Sequence, residues 1–255
     1  MLYYQEFGAA DAPALVLLHS GGLAGVEWQP QIAALSSRYR LIIPDLPGHG
    51  SSPLDVPTLT IEHIVASVLA LLDRLHISNF YLCGSSLGGA SALALGLQVP
   101  ERVKRLVVYR ISYRKNAATY AQTRQMATPA YWAQFGLAGW LSQLHEPQGG
   151  PEAWKTVIGR VSEALNPALG GHNHRLEDLR RLNMPVLLIA GDRDPVAPLA
   201  DILAMYEALP APALWIMPAA SHITASNTWR AAAFAEELKR FFSLPQLPPK
   251  LENEQ

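Results

Sequence analysis

Cysteine is almost missing from this chain. Of 255 residues only Cys83 carries a thiol, so no intrachain disulfide can form and a zinc site built on several thiolates is excluded. An excess of either charge is missing too. Lys and Arg number 20 against 21 Asp and Glu, for a formal net charge of −1, which argues against a basic nucleic-acid binder and against a strongly acidic partner surface. No apolar run approaches the ~20 residues that span a bilayer. The opening residues, MLYYQEFGAADAP, lack the basic segment and apolar stretch of a secretory leader. A soluble cytoplasmic protein that engages neither membrane nor nucleic acid is expected. There is no internal repeat, and the closing stretch 244–255, LPQLPPKLENEQ, reads as a flexible tail.

What is present is an alternation. Residues 14–18 (ALVLL), 41–43 (LII), 80–82 (FYL), 106–109 (LVVY), 186–189 (VLLI) and 213–216 (ALWI) are short and continuously apolar. That pattern suits strands buried on both faces of a parallel sheet. Between them, 61–77 repeats apolar residues at helical spacing, and 87–98 is rich in Ala and Leu and stops before Val99-Pro100. Helices also fit 199–209 and 228–242. The alternation predicts an α/β fold with a mostly parallel sheet flanked by helices. Residues 2–7 are expected to pair antiparallel with 14–18 through the turn GAADAP. The rhythm breaks over 112–178, where no strand is legible and Tyr131, Trp132, Phe135, Trp140 and Trp154 gather. It reads as a helical insertion (a cap) dividing a core of 1–111 and 179–243.

The chemistry-bearing stretch is CGSSLGG, residues 83–89. A serine framed by glycines, after a buried strand and opening a helix, stands on a sharp strained turn. Side chains two residues either side would collide with neighbouring backbone. Ser86 is central in Gly84-Ser85-Ser86-Leu87-Gly88 and is the candidate nucleophile; Ser85 is offset by one. A serine hydroxyl needs a base. His222, just after the run 213–217, lies where a parallel sheet places its chemistry. The pair His172 and His174 reads as an exposed loop, and His63, His76 and His145 as surface or filler on helices. An acid must orient the base. Asp192 and Asp194, in GDRDP, both could serve; Asp194 lies further into the loop and is chosen, with Asp192 bracing the turn. The oxyanion of an acyl-transfer intermediate needs donors, each worth about 3–4 kcal/mol. Leu87 N–H and the loop His19-Ser20-Gly21-Gly22 are the candidates, Gly21 before Gly22, with His19 holding the loop.

With these residues in place the chain resembles the α/β-hydrolase superfamily over 1–243. The order Ser86, Asp194, His222 is that of this superfamily. The segment DLPGHGSS (45–52) also resembles a stretch typical of it, and there its role is structural. The resemblance implies a serine carboxylesterase or lactonase without cofactor or metal, acting on a small-molecule ester or lactone through an acyl-enzyme. Bacterial carboxylesterases, enol-lactone hydrolases, pimeloyl carrier-protein methyl ester esterases and meta-cleavage C–C hydrolases share this compact capped form. The menaquinone synthases of this fold usually follow the serine turn with arginine, where this chain has Gly89-Ala90. Carbon–carbon hydrolysis, or a non-hydrolytic receptor or lyase on the same fold, are the alternatives. Trp132, Phe135 and Trp140 are candidates for an apolar pocket, with Gly22 beside the oxyanion. Arg110, after the run 106–109, could grip a substrate carboxylate or anchor the cap through an ion pair.

Overall fold

The computed structural model describes residues 1–169 and 171–245; the expected tail lies outside them apart from its first two residues. Seven strands form one sheet: β1 (Tyr4–Phe7), β2 (Ala14–Leu18), β3 (Arg40–Pro44), β4 (Phe80–Ser85), β5 (Val103–Tyr109), β6 (Val186–Gly191) and β7 (Pro212–Met217), in the order β1-β3-β2-β4-β5-β6-β7. All neighbours are parallel except β1 with β3. The continuous apolar runs are therefore strands covered on both faces, and β2 and β6 are buried at every residue. This is the α/β fold with a mostly parallel sheet that the alternation predicts.

One pairing differs from expectation. β1 joins β3, with Tyr4 opposite Pro44 and Phe7 opposite Leu41, and does not form a hairpin with β2. The reason is burial. β2 is fully apolar and takes parallel partners on both edges, β3 and β4, whereas β1 is only part-buried and suits the sheet edge.

Helices cover the sheet. α1 (Gln29–Leu35) and α9 (Ala231–Ser243) lie on one face, where Trp28, Phe234 and Phe241 fill the core with the odd-numbered residues of β2. α2 (Ile61–Arg74), α3 (Leu87–Gln98) and α8 (Leu199–Ala208) lie on the other. Thr60 caps α2 by accepting from His63 N–H, and the stripe Ile61, Ile64, Val65, Val68, Leu71 and Leu72 is buried. Between β5 and β6 stand α4 (Ala117–Met126), α5 (Pro129–Ala133), α6 (Ala138–Leu144) and α7 (Ala153–Ala164). Among the described residues no strand lies between them, only an isolated bridge from Arg114 to Asn173. Leu141, Trp154 and Ile158 make a small core of their own there. These helices stand over the carboxyl ends of β2, β4 and β6, where the candidate residues emerge.

Candidate active site

Ser86 follows β4 and precedes α3, at φ +53°, a left-handed conformation that serine rarely adopts. Two glycines make the turn possible. A Cβ on Gly84 would sit 2.1 Å from the Gly88 carbonyl oxygen, and one on Gly88 would sit 2.4 Å from Leu18 O and 2.5 Å from His19 O. Helix α3 therefore starts pressed against the end of β2. Gly88 N–H donates to His19 O, and Ala90 N–H to Ser86 O. Leu87 holds the first helical position, where the intrahelical ladder offers its N–H no acceptor.

Ser86 Oγ lies 3.1 Å from His222 Nε2, and His222 Nδ1 lies 2.7 Å from Asp194 Oδ2. The other oxygen of Asp194 accepts from Val196 N–H at 2.8 Å and Ala197 N–H at 3.0 Å. Burial pushes the Asp194 carboxyl up, but His222 and those two amides outweigh it and hold the group below its ordinary value. Asp192 faces elsewhere: it accepts from Ala220 N–H at 2.9 Å and ties the β6 turn to the loop that carries His222. Gly191 has to be glycine there, since a Cβ would lie 2.1 Å from Ala220 O.

His19 bonds the Ser20 carbonyl through Nδ1 and accepts Leu46 N–H at Nε2, both at 2.8 Å, which fixes the start of the HSGG loop. Gly21 lines the cavity beside Ser86, under Val161 of α7. Leu23, Met126, Trp132, Ile158 and Val161 supply the apolar walls of that cavity, which encloses about 540 Å³ of space not filled by atoms, part of it open to solvent.

The sequence profile of the alpha/beta hydrolase family matches residues 15–237. The chain belongs to the alpha/beta hydrolase family. It is 32% identical to 3-oxoadipate enol-lactonase 2 of Acinetobacter baylyi, over 91% of this chain and 90% of that protein. It is 28% identical to the pimeloyl-[acyl-carrier protein] methyl ester esterase of Nitrosomonas europaea, over 83% and 89% of the two chains. The crystal structure of the enol-lactonase from Burkholderia xenovorans LB400 superposes with a TM-score of 0.71 at 25% identity, covering 95% of this chain and 96% of that one.

Several residues of this hydrolase stand differently from expectation. Arg110 lines the cavity beside Ser86, but its guanidinium is buried and paired within the core, and is not tied to the helices between β5 and β6. Its guanidinium pairs with Glu27 at 2.8 Å, in the core loop after β2, with only 6% and 4% of the two side chains exposed. It also donates to Ser20 Oγ and Ser85 Oγ, both at 2.8 Å, and to the His222 carbonyl at 2.9 Å. Glu27 in turn accepts Ser20 N–H at 2.6 Å. The doubled serine now has an explanation: Ser85 is the buried member of this network, and Ser86 projects into the cavity. A sequence signal existed, because Glu27 is a lone carboxylate beside buried Trp28 in the otherwise uncharged stretch 20–37.

Phe135 lines neither this cavity nor the groove beside it; it is half exposed and stacks edge-on to Tyr131. Trp132 lines the cavity, whereas Trp140 lies outside it in the adjoining groove. Gly22 is absent from the cavity wall; at φ +75° its carbonyl turns away to accept from His145 Nε2 at 2.9 Å. His145, expected as filler, is a fully buried connector whose Nδ1 also accepts Gly50 N–H at 3.0 Å. His172 is buried rather than in an exposed loop. Among the described residues no three His, Cys, Asp or Glu side chains gather as a metal site.

Proposed function

We propose that this alpha/beta hydrolase cleaves a carboxylic ester or lactone through an acyl-enzyme on Ser86. One observation carries the reading: the unbroken hydrogen-bonded file from Ser86 Oγ through His222 to Asp194, ending in a cavity roofed by helices. His222 Nε2 takes the serine proton as Oγ attacks the acyl carbon. Asp194, held ionised by its amides, keeps Nδ1 protonated and stabilises the imidazolium that forms. The carbonyl oxygen becomes an oxyanion against the N–H groups of Leu87 and Gly21. Collapse breaks the C–O bond, and His222 returns the proton to the leaving alkoxide. Water enters, loses a proton to His222, attacks the acyl carbon and releases the acid with Ser86 restored. No cofactor takes part in this scheme. The helices of 112–178 act as a cap that shapes the acyl pocket and excludes water. The named activities of the relatives, an enol-lactonase and a methyl ester esterase, support an acyl substrate.

The test is labelling with a fluorophosphonate, followed by a panel of esters, lactones and a vinylogous diketone. Labelling is expected in wild type and Ser85→Ala and lost in Ser86→Ala. Unlabelled, well-folded wild type would refute the activated serine. Turnover of the diketone alone would replace ester cleavage by C–C hydrolysis.

A further inference from the structure

Beside the cavity that holds Ser86 runs a shallower groove, with about 830 Å³ of space not filled by atoms, much of it open to solvent. Trp132, Leu137 and Trp140 form one wall, and Val26 and Pro30 contribute to the other. The groove and the cavity share Leu23, Arg110, Trp132 and Ile223 in their walls. The two spaces are therefore neighbours, with these four side chains between or along both. Trp140 and Val26 are each about two-fifths exposed, at 41% and 42%, large apolar surface left to solvent along the groove.

Charge decides what fits. Among the described residues Arg110 is the single Lys or Arg in the walls of either space, and Glu27 is the single carboxylate. They pair at 2.8 Å, and the guanidinium also donates from Nε to Ser85, from Nη1 to the His222 carbonyl and from Nη2 to Ser20 and Ser85. A substrate carboxylate entering here would lose its water to meet a cation whose charge Glu27 already balances, and would stand near Glu27 itself. An apolar arm loses nothing and covers Trp140 and Val26.

We propose that the substrate is an uncharged ester or lactone whose compact acyl part occupies the inner cavity and whose apolar arm lies in the groove. This rests on the serine-hydrolase reading and adds its substrate class. Arg110 is a masked cation: it organises the loops and is withheld from substrate by Glu27.

The wild type is assayed with matched 4-nitrophenyl esters, the pentanoate and the glutarate monoester, which differ by a terminal carboxylate. A preference in kcat/KM for the neutral ester of about a hundredfold or more is expected. Glu27→Gln, on material shown folded by circular dichroism, unmasks Arg110 and narrows that preference at least tenfold. For the groove, octyl and methyl pentanoate are compared in wild type and Trp140→Ala; KM rises about tenfold for the octyl ester and holds for the methyl ester. Equal turnover of neutral and anionic esters by wild type would overturn the charge rule. An equal effect of Trp140→Ala on both alkyl esters would overturn the groove. Absence of fluorophosphonate labelling at Ser86 would instead overturn the hydrolase reading itself, and this inference with it.

Discussion

Replacing Arg110 by methionine puts the buried network to its most direct test. The variant leaves Glu27, 4% exposed, as a carboxylate without its cation, and strips a donor from Ser20, Ser85 and the His222 carbonyl. Breaking a buried ion pair from one side costs about 3–5 kcal/mol. At roughly 2–4 °C per kcal/mol for a domain of this size, Tm should fall by about 6–20 °C. The double variant Arg110→Met/Glu27→Gln should recover much of that, since the glutamine side chain is neutral and its amide oxygen can still accept Ser20 N–H. A thermodynamic cycle in urea, with both single variants, is expected to show a coupling of about 2–3 kcal/mol. A drop of less than about 3 °C for Arg110→Met, or a double variant that loses the sum of the singles, would refute the claim that the pair is buried and mutually dependent.

Other expectations are simpler. Gly88→Ala drives a Cβ into Leu18 O and His19 O at 2.4 and 2.5 Å and should cost about 3 kcal/mol or abolish folding; Gly159→Ala in α7, with nothing within 4 Å, should gain up to about 1 kcal/mol in urea melts. Asp194→Asn should lower kcat on any ester about 10³–10⁴-fold while Asp192→Asn leaves most activity, since only Asp194 bonds His222. Burial, reinforced for His49 and His145 by neighbouring imidazoles, pushes His19, His49 and His145 below the ordinary imidazole value. The folded chain then binds fewer protons than the unfolded one. The associated stability is present above about pH 6.5 and is lost as pH falls toward the lowered values; Tm should drop between pH 7.5 and 5.5, and a flat profile would contradict it. Burial also pushes the Lys115 amine down to about 8. Charging it at pH 7 therefore costs the fold roughly 3 kcal/mol. Lys115→Met should raise Tm at pH 7, with the gain disappearing above pH 10 as the unfolded lysine too becomes neutral.

Most of the sheet was legible because β2, β6 and the stretches Phe80–Cys83 of β4 and Leu106–Tyr109 of β5 are continuous apolar runs, a pattern that burial on both faces imposes. The serine turn was legible because its glycines answer to backbone collisions that leave no freedom of residue choice. The partner of β1 was not, because Tyr4–Phe7 suits any sheet edge and the turn GAADAP suggested a nearer neighbour. Arg110 misled for a related reason. An arginine at a strand's carboxyl end announces charge near the site, but its counter-charge stands 83 positions earlier, and no local pattern links the two. His145 was illegible in the same way: its bonds go to Gly50 and Gly22, far along the chain.

His145 does not act alone. Just beyond it, past the end of α6, Gln148 donates to Gly50 O at 2.7 Å and Ser52 O at 2.8 Å, and Ile158 and Val161 of α7 press on Gly22 and Gly21. The second half of the helical segment is thereby riveted to the core. α5 buries none of its residues, and α4 buries only Thr119 and Thr123. In hydrogen-exchange terms the segment should split: amides of α7, which buries Trp154, Val157, Ile158 and Ala164, and of Gly50 exchange slowly with the core, those of α4 and α5 rapidly. Entry to Ser86 then becomes a local fraying of one corner, at the time scale of a short helix, instead of the swing of a whole domain.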